Sequence, residues 1–311
     1  MKTRIRIGSR GSRLALIQAE TVKSVLENTF PGLDIHILTV KTKGDRILNS
    51  PLSKIGGKGL FTKELEDKLL REEIDLAVHS LKDMPAELPD GLMLGAVLKR
   101  EDARDIFISR DGRRLGEFAR KDRVATSSLR RRAQLLHFNH ALTIIDIRGN
   151  IDTRLNKMND GDCDGMVLAA AGLIRAGYQH LITEYLEPAL MLPAACQGII
   201  GIELRVHDVE TGNLLRAVDH ETTYISALAE RAFLRKLEGG CQVPLGCLSA
   251  ITDARFRIQG MLADIDGTRI IKKQGEGRPD EAVKVAQQVA VSILESGGDA
   301  ILEEIRRTSR C

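Results

Sequence analysis

A chain of 311 residues with 43% hydrophobic and 29% charged residues, 28 Gly and 8 Pro has the composition of an ordinary folded protein, long enough for two or three domains. Disordered, collagen-like and small disulfide-scaffold classes are excluded. The 46 Lys and Arg nearly cancel 43 Asp and Glu, leaving a net charge of +3, too little to argue for nucleic acid by itself.

The N-terminal segment MKTRIRIGSRGSRLALIQAE lacks an apolar signal core, and no stretch reaches the roughly 18 uninterrupted apolar residues of a membrane span. The expectation is a cytoplasmic protein with no membrane partner. Aromatics are 3% of the chain and Trp is absent, so stacking platforms for single strands are scarce and no nucleic-acid partner is expected. The five cysteines, Cys163, Cys196, Cys241, Cys247 and Cys311, include no CxxC pair; neither a disulfide framework nor a metal site is suggested.

Short apolar runs alternate with helical periods, the pattern of α/β units on buried sheets. Arg4–Ile7 predicts a strand and Leu14 to Leu26 a helix, followed by a strand at Asp34–Val40. Residues 41–59, KTKGDRILNSPLSKIGGKG, are rich in Lys and Gly without apolar periodicity, which reads as a mobile functional loop. Next come a helix carrying Phe61, Leu65 and Leu69 and a strand at Asp75–Val78. Asp105–Ser109, Arg123–Ala125, Leu142–Ile147 and Gly165–Ala169 predict a second set of strands, interleaved with helices from near Ser128, Ile151 and Ala170. Gly198–Leu204 is one more buried strand, placed so that it can return to the first domain. A long helix over Glu221–Glu238 ends at Gly239-Gly240; a hairpin turns at Asp266-Gly267, and a last amphipathic helix from Val283 stops at Gly297. No internal repeat is visible.

The segment DLAVHSLKDMP places Lys82 and Asp83 just beyond a buried strand, where open α/β sheets bind ligands. TSSLRRR and IRGNIDTR each join a strand to a helix through residues that leave backbone N–H groups free, and supply Arg130, Arg131, Arg148 and Arg154. Arg10 and Arg175 stand at comparable junctions. A single Arg of this kind is commonly just a solvated face, but four junctions supplying Arg suggest a polycarboxylate or phosphate ligand in a cleft between domains. EGGCQVPLG sets Cys241 on a tight turn, readable either as a buried small hydrophobe or as an approachable nucleophile or attachment point; Cys247 is a rival for that role. GGKGLF lacks the ending of a phosphate loop and reads better as a lid with Lys54 and Lys58 touching an anionic ligand.

Taken in order, RIGSRGSRLA, KTKGD, GGKGLFTKELE, DLAVHSLKDMP, REDARD, ATSSLRRRAQL, IRGNIDTRL, LAAAGLIR, LPAACQGIIGIE and ERAFLRKLEGGCQVPLG closely resemble the porphobilinogen deaminase (hydroxymethylbilane synthase) family. The resemblance implies an α/β fold with two periplasmic-binding-protein-like α/β domains, at 1–99 plus 200–217 and at 104–192, and a small α+β C-terminal domain at 221–311. It also implies head-to-tail condensation of four porphobilinogen molecules with loss of ammonia, on a dipyrromethane cofactor held by a thioether to Cys241, by a protein expected to be a monomer. Asp83 corresponds to the family's catalytic carboxylate. Lys82, Ser128, Arg130 and Arg131 would grip the cofactor, and Arg10, Ser12, Gln18, Arg148, Arg154 and Arg175 would face substrate. Phe61 would pack against a pyrrole ring or belong to the core.

The chemistry gives these residue types a reason. Loss of ammonia leaves an electron-poor azafulvene whose pyrrole nitrogen bears positive charge, and a fixed carboxylate near that N–H lowers the barrier. Each pyrrole carries an acetate and a propionate, which Arg and Lys must neutralise. Two departures from the family pattern stand out: Arg13 where Pro is frequent, and Cys196 where Gly is frequent, the latter a candidate oxidation-sensitive thiol. A non-catalytic two-lobed anion-binding protein is the alternative from another class.

Overall fold

In the computed structural model the described residues are 2–46, 59–237 and 243–310. They fall into two compact units, the first holding 2–46, 59–101 and 198–224 and the second 102–197 and 225–310. The protein is mixed α/β, with two five-stranded sheets and a third sheet of three strands.

The first unit opens with β1 (Arg4–Arg10), α1 (Arg13–Thr29), β2 (Asp34–Val40), the short α2 (Lys43–Arg46), α3 (Lys63–Leu70), β3 (Leu76–Ser80) and β4 (Leu92–Val97). The chain then enters the second unit as β5 (Asp105–Ser109), β6 (Arg123–Ala125), α4 (Leu129–Phe138), β7 (Thr143–Ile145), α5 (Ile151–Asn159), β8 (Gly165–Ala169), α6 (Ala170–Arg175) and β9 (Glu184–Leu186). It returns to the first as β10 (Ile200–Arg205) and α7 (Val209–Arg216). From there α8 (Glu221–Lys236) leads to β11 (Leu245–Thr252), β12 (Arg255–Ala263), β13 (Ile270–Gly277), α9 (Ala282–Ile293) and α10 (Asp299–Arg310).

The first sheet has the order β2-β1-β3-β10-β4 and the second β7-β6-β8-β5-β9. In each, the first three strands are parallel and the fourth runs antiparallel to both neighbours. The two sheets therefore share one spatial order and direction of strands, although the antiparallel fourth strand comes last in the chain in the first sheet and first in the second. The predicted return of Gly198–Leu204 is realised by β10, which inserts between β3 and β4.

Alternation along the strands explains the layering. Ile5, Ile7, Leu76, Val78, Ile202 and Leu204 face Ala19, Val22 and Leu26 of α1, while Ala77 and Leu92 face Leu65 and Leu69 of α3. Gly8 lies on the α3 side, where a Cβ would stand 2.3 Å from Ile74 Cδ1; only glycine lets α3 approach. Ser12 caps α1, so Arg13 is its first helical residue, a position proline favours because its N–H has no partner within the helix. Arg there forfeits nothing. In the last portion α9 lays Val285, Ala286, Val289 and Ala290 across Phe256, Ile258 and Leu262. Gly297, at φ 98°, breaks the helix as expected, but a further helix, α10, starts two residues later.

Two buried carboxylates tie these elements together. Asp75, leading into β3, takes Lys2 Nζ at 2.8 Å, Arg6 Nε at 3.0 Å and the Arg6 backbone N–H at 2.8 Å. Burial alone would push its carboxyl up, but the Arg6 and Lys2 hydrogen bonds prevail and hold it at about 2. Asp105, the first residue of β5 and 0% exposed, accepts from Arg130 Nη1 at 2.7 Å, Arg131 Nη2 at 2.8 Å and Gln197 Nε2 at 2.9 Å. Burial again opposes ionisation, and the two guanidiniums hold the carboxyl well below the usual range.

Because the Asp75 carboxyl is depressed in the folded state, its contribution is complete above the unfolded value near 4 and fades as pH falls towards 2, amounting to about 2 kcal/mol at neutral pH. Asp75→Asn should lose that amount in urea unfolding at pH 7 and should weaken correspondingly less than the wild type between pH 4 and pH 2. Asp105→Asn leaves two buried guanidiniums without a counter-charge, and a loss of about 3–5 kcal/mol is expected in the same measurement.

Candidate active site

In an open α/β sheet the crevice forms where neighbouring parallel strands send their connections to opposite sides. In the first sheet that point lies between β1 and β3. The C-terminal end of β1 supplies Arg10 and, through the α1 cap, Ser12; the end of β3 supplies Ser80 and a single helical turn over Leu81–Asp83. Together with Gln18, Phe61, Thr62 and His79 these residues line one recess.

The Arg10 guanidinium lies 4.2 Å from the centroid of the Phe61 ring, a cation–π contact that keeps both side chains at the mouth. Phe61 precedes α3 rather than riding on it, and is half-buried in the recess wall rather than in the core. Buried Gln18 donates to Ser80 Oγ at 2.8 Å, which fixes its amide across the recess floor. Asp83 is exposed at the rim, beside half-buried Lys82. The structure thus brings Arg10, Ser12, Gln18 and Asp83 together. Ser80, Thr62 and His79 join them without having been singled out, although two of them stand in the HSLKDMP segment whose sequence pointed only to its Lys and Asp.

The second sheet repeats the geometry at its own switch point, between β6 and β8. Thr126, Ser127 and Ser128 follow β6, and Ser128 caps α4 by accepting from the Arg131 N–H at 3.4 Å. Ser127 Oγ donates to Ile147 O at 2.6 Å, holding the IRGN turn against the TSS turn. Asn150 caps α5, accepting from the Thr153 N–H at 2.8 Å. Two helix N-termini thereby lie at the same end of the sheet, beyond the C-terminal ends of the parallel strands β6 and β7.

Here the arginines divide. Arg130 and Arg131 are buried and committed to Asp105, Arg130 also donating to Leu192 O at 2.7 Å and Arg131 to Val167 O at 3.0 Å. Arg148 and Arg154 are half-buried and form no ion pair among the described residues. Arg154 donates to Gly149 O at 2.8 Å, and burial, with repulsion from Arg131 and Arg148, lowers its guanidinium to about 10. Such mutual repulsion is relieved by an anion, and by several carboxylates better than by one. Arg175 is the last residue of α6 and half-buried.

Lys54, Lys58 and Cys241 lie outside the described residues. The described cysteines, Cys163, Cys196 and Cys247, are buried and do not have the accessibility that reactivity requires. Cys247 is fully buried on β11. Cys196, expected as an oxidation-sensitive thiol, is 1% exposed; it occupies a turn at φ 62°, its N–H donates to buried Glu230, and its Sγ lies 3.8 Å from Ala227 O. That left-handed backbone accounts for glycine being frequent at this position in the family pattern.

Two family models match the chain: "Porphobilinogen deaminase, dipyromethane cofactor binding domain" over residues 5–213 and "Porphobilinogen deaminase, C-terminal domain" over 224–295. Among curated relatives, the porphobilinogen deaminase of Syntrophobacter fumaroxidans is 48% identical over 97% of this chain and 98% of its own length. That of Desulforamulus reducens is 47% identical over 98% and 99%, and that of Chlorobium limicola 45% over 99% and 100%. Of solved structures, a TRAP periplasmic solute binding protein from Desulfovibrio salexigens aligns at 10% identity and TM-score 0.43 over 73% of this chain and 75% of its own, too remote a likeness for any functional argument. End-to-end matches at nearly half identity, over a chain whose two sheets each present basic, helix-capped switch points, place this protein in the porphobilinogen deaminase family of enzymes.

Proposed function

We propose that the protein is a hydroxymethylbilane synthase, joining four porphobilinogen molecules head to tail with loss of ammonia and releasing the linear tetrapyrrole. The observation that carries this reading is the Arg131, Arg148 and Arg154 group, whose charges repel one another in the absence of an anion. A ligand bearing acetate and propionate groups on every ring fits such a site, and it fits a dipyrromethane cofactor equally well. Ser128, Arg130, Arg131 and Lys82 would hold that cofactor, with Cys241 forming the thioether. Within this set, Arg130 and Arg131 act as much by fixing the α4 N-terminus through Asp105 as by direct contact. When bound, the cofactor supplies the free pyrrole α-carbon from which the chain grows.

The other residues act on substrate. Arg10, Ser12, Arg148, Arg154 and Arg175 neutralise and orient its carboxylates, and Gln18 acts through Ser80. Asp83, exposed at the recess rim, sits where a carboxylate can stabilise the positive charge that develops on a pyrrole N–H as ammonia departs. The same oxygen can take the proton released when the ring regains aromaticity. Lys54 and Lys58 belong to the segment that would cover the ligand. The division into domains at 1–99 plus 200–217, 104–192 and 221–311, a monomeric state and a cytoplasmic location belong to this reading as well; no described helix is long and apolar enough to cross a membrane.

The test has two parts. The intact mass of the purified protein, followed by mapping of the peptide with Cys241, should reveal an excess equal to one dipyrromethane on that peptide; an unmodified mass that incubation with porphobilinogen leaves unchanged would defeat the covalent assignment and favour a non-catalytic anion-binding protein. Asp83→Glu keeps the charge and displaces it by one methylene, so kcat should fall by roughly a hundredfold or more with the cofactor still attached. Turnover near the wild-type rate would remove Asp83 from its role.

A further inference from the structure

Behind the first-unit recess lies a group of buried ionisable side chains that the reaction above does not use. His79 on β3 and Glu203 on β10 face the α3 side of the sheet, His79 Nε2 lying 3.1 Å from Glu203 Oε2, with side chains 4% and 0% exposed. Glu66 on α3 is buried above them. Glu203 Oε1, Glu66 Oε1 and Thr62 Oγ1 are buried and have no hydrogen-bond partner among the described residues. Buried oxygens left unpaired are costly, and a further buried carboxylate near the His79–Glu203 pair is not cheaply ionised. Burial, the largest effect, pushes the Glu66 carboxyl up; the Thr62 hydroxyl and His79 pull the other way, and the Glu203 charge adds to the rise. The other charged residues on the surrounding elements are Lys63, Glu64, Asp67 and Lys68 on α3, Arg205 on β10 and Arg4, Arg6 and Arg10 on β1; β4 carries none. Arg205 and Arg6 are engaged with the Asp75 and Asp208 carboxylates, and Arg10 is stacked on Phe61.

Each member of the group is joined to something that lines the recess. His79 lines it directly and precedes Ser80, whose partner is Gln18. The Leu81 N–H, which opens the turn bearing Asp83, donates to Ile199 O at 3.0 Å, at the start of the strand that carries Glu203. Thr62 precedes α3 and follows Phe61. We propose that Glu66, His79 and Glu203 form a proton-holding cluster whose members are positioning residues for the reaction at Asp83, keeping the end of β3 and the Phe61–Thr62 turn in place as long as Glu66 stays protonated. This rests on the reading of Asp83 given above. Loss of the Glu66 proton sets a second negative charge beside Glu203 in a region that excludes water, and the repulsion separates α3 from β10. The turn carrying Phe61, with Arg10 stacked on it, moves with α3.

The sign follows. Activity should fall on the alkaline side as Glu66 ionises, and Glu66→Gln, neutral and of the same shape, should carry the alkaline limb of the kcat/KM profile upward by about one pH unit or more. A limb unmoved in Glu66→Gln overturns the proposal. Glu203→Gln removes the charge that His79 faces; roughly tenfold lower kcat is expected, with little change in KM and the mass of the attached cofactor intact. An unaltered kcat overturns the proposal too, and should Glu203→Gln fail to fold, the Glu66→Gln profile decides. Both variants are read as cofactor-loaded protein against wild type. A wild type that does not turn over porphobilinogen defeats the underlying reading, whereas an active wild type with unchanged variants defeats this inference alone.

Discussion

A carboxylate with no access to water, Asp105, holds two guanidiniums and one amide inside the second unit, and the cationic character of the site above depends on it. Arginine side chains on successive positions of a helix repel each other, and a helix beginning Leu-Arg-Arg-Arg would tend to turn all three outward. The Asp105 charge instead draws Arg130 and Arg131 under the α4 N-terminus, where their further hydrogen bonds go to the carbonyls of Leu192 and Val167. Arg131 is thereby held close enough to Arg148 and Arg154 to raise the potential there. The price is paid in buried charge, and it leaves Arg148 and Arg154 without a carboxylate among the described residues.

The first unit distributes its charge differently. Among the described residues its recess is lined by one cation, Arg10, stacked on an aromatic ring, and one exposed anion, Asp83, together with neutral Ser12, Gln18 and Ser80. A site that must stabilise a transient positive charge cannot be lined with guanidiniums, and a site that must hold many carboxylates cannot be lined with acids. Two sheets of one strand order and direction allow both requirements to be met at equivalent strand ends, each with its own set of side chains.

The sequence made much of this legible. Asp34–Val40, Asp105–Ser109, Arg123–Ala125 and Gly165–Ala169 are strands with the expected bounds. Asp105–Ser109 and Gly165–Ala169 read as apolar runs because both faces are covered, whereas the half-exposed edge strand Asp34–Val40 keeps an apolar residue at Ile35, Ile37 and Val40. β4, β9 and β11 escaped: Leu92–Val97 is interrupted by Gly95, Glu184–Leu186 spans three residues, and Leu245–Thr252 begins directly after Pro244, with no polar alternation to announce it. α10 escaped because a glycine stop signals where one helix ends and says nothing of another starting behind it. For the site, the motif segments led to the strand ends, yet nothing local separates Arg130 and Arg131, which face inward to Asp105, from Arg148 and Arg154, which do not. That distinction comes from a strand more than twenty residues earlier in the chain. Thr62, Glu66, His79 and Glu203 are likewise drawn from α3 with its cap, β3 and β10, and no periodicity announces that they meet.

The insertion of β10 between β3 and β4 also constrains how the chain is made. β4 ends at Val97 and its sheet neighbour among the described residues begins at Ile200, so on the ribosome the first sheet stays open while the whole second sheet is being synthesised. Through that interval the inner edge of β3 and both edges of β4 offer unpaired backbone groups, the state in which nascent chains pair wrongly with one another. The second sheet, whose strands are contiguous in the chain, can close first, and the sheet carrying Asp83 is completed only when a late strand threads between two early ones. An expression host that outpaces its chaperones would be expected to lose this protein at that stage rather than through any weakness of the finished fold.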